Sequence, residues 1–133
     1  MNRRQSREQA LSLVFSRMFN EDVTAQEITE LSKLCMDTQD DEFSDALFTG
    51  VCESVEELDA VIDKYAIGWS RKRISRVSLA ILRLAVFEII HMDEIPISVS
   101  IDEAVELAKK FATDEDASFI NGILGSVARE YGA

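Results

Sequence analysis

Apolar positions recur along this chain at spacings of three and four. Leu11, Val14, Phe15 and Met18 fall at i, i+3, i+4 and i+7, which places them on one face of a first helix. Thr24-Ala25-Gln26-Glu27 has the form of a capping box, with the Thr24 hydroxyl accepting the third amide and Glu27 reaching back to the Thr24 amide. Ile28, Leu31, Leu34 and Cys35 then give the buried stripe of a short helix. After a polar, acidic connection at residues 37–42, Leu47, Val51, Val55, Leu58 and Ile62 predict a helix of about twenty residues. Ile67-Gly68-Trp69-Ser70 ends it, glycine being a favoured terminator. Val77 to Met92 is apolar almost all round, the pattern of a central helix covered on most sides. Pro96 removes a donor and holds Ile95 out of helix, enforcing an extended link. Ser100-Ile101-Asp102-Glu103 reads as a second capping box, opening a helix with Ala104, Leu107, Ala108 and Phe111 inward. A last helix follows the acidic loop at residues 113–116 and carries Phe119, Ile120, Ile123, Leu124 and Val127, with Gly122 and Gly125 permitting close helix contact. No segment alternates with the period of a strand. The expectation is an all-α fold of six to seven helices.

Length and composition narrow the class. The 133 residues suffice for one domain, or two small lobes sharing a core, without a disulfide or metal staple. With 47% apolar and 29% charged residues the chain has globular composition, and five Gly and one Pro leave little material for the turns of an all-β fold. Cys35 and Cys52 lie in helical patterns beside acids and read as reduced, partly buried thiols; with no CxxC pair and a single His91, no zinc site is expected. The N-terminus shows no small-residue cleavage site, and the longest apolar-rich run, Val77 to Ile90, is broken by Ser78, Arg83 and Glu88. A cytoplasmic, soluble protein is expected. No nucleophile elbow, phosphate loop, HExxH pattern or calcium loop is present, so neither catalysis nor a cofactor is expected.

Charge changes the picture when it is divided. The formal net charge of −11 argues at first against a polyanion partner. Yet residues 1–17 hold Arg3, Arg4, Arg7 and Arg17 against Glu8, a local balance of +3. Residues 68–83 hold Arg71, Lys72, Arg73, Arg76 and Arg83 with no acid, a balance of +5. Screening over roughly 8 Å makes a bound polyanion respond to such local patches. Arginines in the first turns oppose the helix macrodipole and do not stabilise their own helix, but with exposed N-terminal amides they can hold phosphates. Arg83, inside the apolar helix, is expected to pair internally with a carboxylate such as Glu88.

Several blocks, in order, resemble one known family. Arg4-Gln5-Ser6-Arg7-Glu8-Gln9-Ala10-Leu11 resembles the R-x-x-R-E-x-A-L opening of the NusB family of bacterial transcription antitermination factors. Gly50-Val51, Ile62-Asp63 and Trp69 match its middle section, and residues 80–88 (AILRLAVFE) resemble its central-helix signature. Residues 95–109 (IPISVSIDEAVELAK) and Phe119-Ile120-Asn121-Gly122-Ile123-Leu124 complete the match.

The resemblance implies an all-helical fold of two three-helix subdomains, about 1–68 and 69–133, joined by a central helix. It implies no enzymatic activity. Family members bind boxA, a single-stranded element of rRNA leader transcripts, as a heterodimer with NusE, a small-subunit ribosomal protein, within the antitermination complex of RNA polymerase. By position, Arg3, Arg4 and Arg7 match the RNA-binding N-terminus, Phe119 and Asn121 the motif beside the RNA path, and Phe15 an aromatic near the NusE contact. Phe119 would stack an unpaired base or else pack in the core, and Asn121 would touch RNA or else satisfy backbone groups. Arg71, Lys72, Arg73, Arg76 and Lys110 are further candidate RNA contacts. Four departures stand out. Ser78 replaces an acid that pairs with NusE in many relatives, Ser118 follows three acids where relatives often carry a basic residue, Asp102 replaces Asn, and Gln5 stands where some relatives have a third consecutive Arg. They predict weak RNA binding alone, strengthened by basic surface from NusE. Some relatives form homodimers, and exposed apolar residues on the first helix would permit one. Two other readings share the fold. One is an accessory RNA-binding module like that preceding an rRNA cytosine methyltransferase, less expected because the last helix ends just before Ala133. The other is a helical adaptor that binds protein and no RNA.

Overall fold

The computed structural model describes residues 1–19, 22–29, 38–68 and 74–132. Among them every regular element is helical: α1 (Arg3–Phe19), α2 (Glu42–Glu53), α3 (Val55–Tyr65), α4 (Arg76–His91), α5 (Ile97–Phe111) and α6 (Asp114–Tyr131), with a further helical stretch at residues 25–29. The all-α expectation holds. Leu31, Leu34, Cys35, Trp69, Arg71, Lys72 and Arg73 lie outside the described residues.

Local chemistry accounts for the helix starts. Asp41 accepts from the Ser44 amide at 2.9 Å ahead of α2, and Ser75 accepts from the Ser78 amide at 3.2 Å ahead of α4. Thr113 and Asp116 form a reciprocal capping box, so the acidic stretch read as a loop is the first turn of α6, where its three carboxylates suit the dipole. At the start of α1, Asn2 Oδ1 accepts from the Gln5 amide at 2.8 Å while Gln5 Oε1 accepts from the Asn2 amide at 3.1 Å. Gln5 thus closes a cap that an arginine would not.

Three expectations are corrected. The single helix through residues 47–62 is two, because Ser54 leaves helical geometry between α2 and α3. The supposed capping box at Ser100 is not one: α5 starts a turn earlier behind Pro96, and Ser100 is buried inside it. Phe111, assigned to the core, is 47% exposed at the end of α5. Gly68 takes the left-handed φ of +82° just past α3 as expected, and Thr24 Oγ1 accepts from the Glu27 amide at 3.1 Å, while the Glu27 carboxylate takes the Thr24 hydroxyl at 3.0 Å rather than closing the box on the amide.

α4 is the axis of the fold. It packs against all five other labelled helices, and from Ser78 to Ile89 every residue but Arg83 is buried. Close approach of α2 to α4 depends on Gly50: a methyl group there would lie 2.1 Å from the tip of the Phe87 ring. Gly122 and Gly125 do not play this part. A side chain at Gly122 would meet open space, and at Gly125 only the Arg129 guanidinium, at 3.9 Å.

Candidate nucleic-acid interface

Two charged side chains of the apolar central helix find partners far along the chain. Glu88, 3% exposed, receives two parallel hydrogen bonds from Arg7, Nε to Oε2 at 3.0 Å and Nη2 to Oε1 at 2.8 Å, and a third from the Ser100 hydroxyl at 3.0 Å. This network ties α1, α4 and α5 together. Arg83 pairs instead with Asp59 of α3, at 2.8 and 2.9 Å. The expected Arg83–Glu88 pairing is corrected: residues five apart on a helix point about 140° apart and do not meet.

The three N-terminal arginines therefore have three different environments. Arg7 is 4% exposed and spent on Glu88, so it is not a surface cation. Arg3 is exposed, its guanidinium stacked 3.8 Å over the Phe43 ring. Arg4 is exposed and clamped in a bidentate pair with Glu103 of α5, both bonds 3.1 Å. The pair holds the Glu103 carboxyl below the usual carboxylate range and the Arg4 guanidinium above its own. A second crossing of the same kind joins Glu8 of α1 to Lys110 of α5.

Beside Arg4 opens a groove of about 800 Å³ whose walls are the start of α1, one face of α5 and the first turns of α6. Asp114, Ala117, Ser118 and Asn121 line it at helical spacing, and so do Glu106 and Lys109 of α5. Asn121 is exposed and faces the same groove as Arg4, which brings together two residues 117 positions apart by number. Phe119, two places away, turns to the other side of α6 and packs against the core, half-buried. An adjoining groove of about 320 Å³ continues past Glu8 to Lys110. Along the two, Asp102, Glu103, Glu106, Asp114 and Glu8 face Arg4, Lys109 and Lys110, so carboxylates outnumber cations. The basic block of the N-terminus does not become a basic surface.

Of the partner candidates, Phe15 lies toward the opposite end of α1, about 16 Å from Arg4 along its axis. Phe15, half-buried, meets Phe19 edge to face with centroids 4.9 Å apart, and Arg76 stacks 4.5 Å over the 53%-exposed Phe19 ring. Ser78 is fully buried in the first turn of α4, its hydroxyl without a hydrogen-bond partner among the described residues, so it presents nothing to a protein at the surface. Burial also pushes the Cys52 thiol up, which favours its protonated form.

The model of the NusB family matches residues 4–129. The chain belongs to the NusB family. It is 44% identical over 130 residues to the transcription antitermination protein NusB of Acetivibrio thermocellus, covering 97% of this chain and 90% of that one. The corresponding protein of Natranaerobius thermophilus is 40% identical over 134 residues, covering 98% and 96%. Among solved structures, NusB of T. maritima superposes with a TM-score of 0.88 at 32% identity, covering 100% of this chain and 94% of that one. A structure of NusB and NusE with double-stranded RNA superposes at 0.82, covering 98% and 100%, and at 23% identity that likeness is one of fold. No helix among the described residues of this NusB-family chain is long and apolar enough to cross a membrane, and no cluster among them gathers three or more metal-type ligands.

Proposed function

We propose that this chain is a transcription antitermination factor that binds boxA single-stranded RNA in rRNA leader transcripts together with NusE, acting in the cytoplasm on transcribing RNA polymerase. Membership of the NusB family supports the reading, and one observation carries it: Arg4 and Asn121 converge on one open groove. A single strand needs phosphate neutralisation along its backbone and polar groups for its unpaired base edges. Arg3 and Arg4 supply the first, with Lys109 and Lys110 further along, and the Asn121 amide supplies the second. Arg7 acts from within, fixing α1 so that Arg4 stands in the groove and Arg3 is exposed beside Phe43. NusE is assigned to the Phe15–Phe19–Arg76 end, where an aromatic side chain is exposed.

A fluorescent boxA oligonucleotide titrated over a range of salt, with and without NusE, tests this reading. Binding is expected to tighten when NusE is added. Arg4→Glu is expected to weaken it and to flatten the salt dependence by about 0.7 in the log–log slope per lost phosphate contact. If Arg3→Glu and Arg4→Glu leave RNA binding unchanged, the chain is a protein adaptor and the reading is wrong.

A further inference from the structure

Arg4 and Lys110 are the most exposed cations of the two adjoining grooves that are held across helices, and each is already occupied. Arg4 is 60% exposed and its partner Glu103 20%; Lys110 is 61% exposed and its partner Glu8 22%. In both pairs the cation is open to a ligand and the acid is sheltered behind it. The two bridges run side by side between α1 and α5 with opposite polarity, positive to negative at residues 4 and 103, negative to positive at residues 8 and 110. The set is neutral, and Glu106 and Asp114 add further negative charge along the same walls.

We propose that Glu103 and Glu8 are intramolecular competitors for phosphate: their carboxylates occupy the donors of Arg4 and Lys110, so a nucleic-acid phosphate binds there by displacing them. The inference rests on the RNA-binding reading above and deepens it. A carboxylate and a phosphate offer the same bidentate acceptor geometry to a guanidinium. Glu103 Oε1 and Oε2 take Arg4 Nη2 and Nε, two parallel donors that a phosphate would use. Because Arg4 holds Glu103 below the usual carboxylate range, the competitor stays ionised at neutral pH. Non-specific attachment to RNA is almost wholly electrostatic, so self-paired cations restrain it at its source. An RNA that also satisfies Asn121 recovers what the exchange costs, and one that does not is released.

The test is binding of the full chain to boxA RNA and to an unrelated single strand of equal length, over a range of salt, for the wild type, Glu103→Gln, Glu8→Gln, Glu103→Asp and Arg4→Glu. Gln keeps the shape and removes the charge; Asp keeps the charge. Glu103→Gln and Glu8→Gln are each expected to tighten binding to both RNAs several-fold and to steepen the log–log salt slope by about 0.7 for each cation set free. Glu103→Asp is expected to bind as the wild type. Unchanged affinity in both Gln variants would overturn the inference. So would weaker binding, since Glu103 would then be orienting Arg4 for phosphate rather than competing with it. Arg4→Glu separates the two readings. If it loses RNA while the Gln variants gain none, the competition is refuted and RNA binding stands; if it binds as the wild type, RNA binding at this groove itself fails. Circular dichroism of each variant checks that the fold is intact.

Discussion

Arg7 and Glu88, 81 positions apart in sequence, meet in two parallel hydrogen bonds of 3.0 and 2.8 Å inside the fold. The Ser100 hydroxyl donates to the same carboxylate, so one acid on the central helix holds a residue from each of two neighbouring helices. Removing one member of such a pair leaves an uncompensated buried charge. Arg7→Ala is expected to lower unfolding free energy by about 3–5 kcal/mol in urea denaturation. Replacing both, as Arg7→Met with Glu88→Leu, is expected to recover most of that loss; a double variant as unstable as the single one would refute the assignment.

Gly50 is predicted to tolerate no side chain. Its added methyl group would sit 2.1 Å from Phe87 Cζ, and the helix-propensity gain of alanine is smaller than the cost of moving a packed ring. Gly50→Ala should cost about 2 kcal/mol. In combination with Phe87→Leu the loss should be less than the sum of the two single losses, read from denaturation midpoints.

Gly122 is the opposite case. It lies within α6 with nothing near its missing Cβ, and its backbone is helical. Gly122→Ala is expected to stabilise the chain by about 0.5–1 kcal/mol in thermal unfolding. It stands next to Asn121, so the same variant measured for RNA binding reports whether the backbone here comes close to a ligand. A more stable variant that binds RNA poorly would place that contact at Gly122.

Acid should weaken the fold through two named carboxyls. Arg4, through its hydrogen bonds, holds Glu103 below its ordinary 4.5, and the Ser6 hydroxyl with the Ser44 amide holds Asp41 below its ordinary 3.8. Both groups titrate lower when folded than when unfolded. Their contribution is therefore complete above the unfolded values and is lost as pH falls through the folded ones. Melting temperature is expected to be level from pH 7 to about 5 in this respect and to fall below it. Glu103→Gln should show a shallower fall; an identical profile would remove Glu103 from the account.

Periodicity made the helices legible because each buries one stripe. It did not reveal the break at Ser54, since Val51, Val55, Leu58 and Ile62 continue their spacing of three and four through a single residue out of register. Local spacing misplaces the start of α5, because Ser100 and Glu103 have the spacing of a cap while their actual partners, Glu88 and Arg4, come from distant helices. The same limit applied to the site. Arg4 and Asn121 were found through the family pattern, and the groove unites them. Arg7 was grouped with its neighbours because sequence shows its charge and not the acid that neutralises it. The available signal was Glu88 itself: a lone acid in an apolar helix demands a buried partner. Glu8 and Glu103 gave no signal, being ordinary acids on polar helix faces.

The bridges of α1 also impose an order on assembly. Residues 4, 7 and 8 leave the ribosome well before their partners at residues 103, 88 and 110. Until those arrive, Arg4 and Arg7 lack the carboxylates that hold them in the finished fold. The helix α1 is thus locked only after the later helices have been made. A nascent chain halted before residue 88 should leave α1 open to protease, and one extended past residue 110 should protect it.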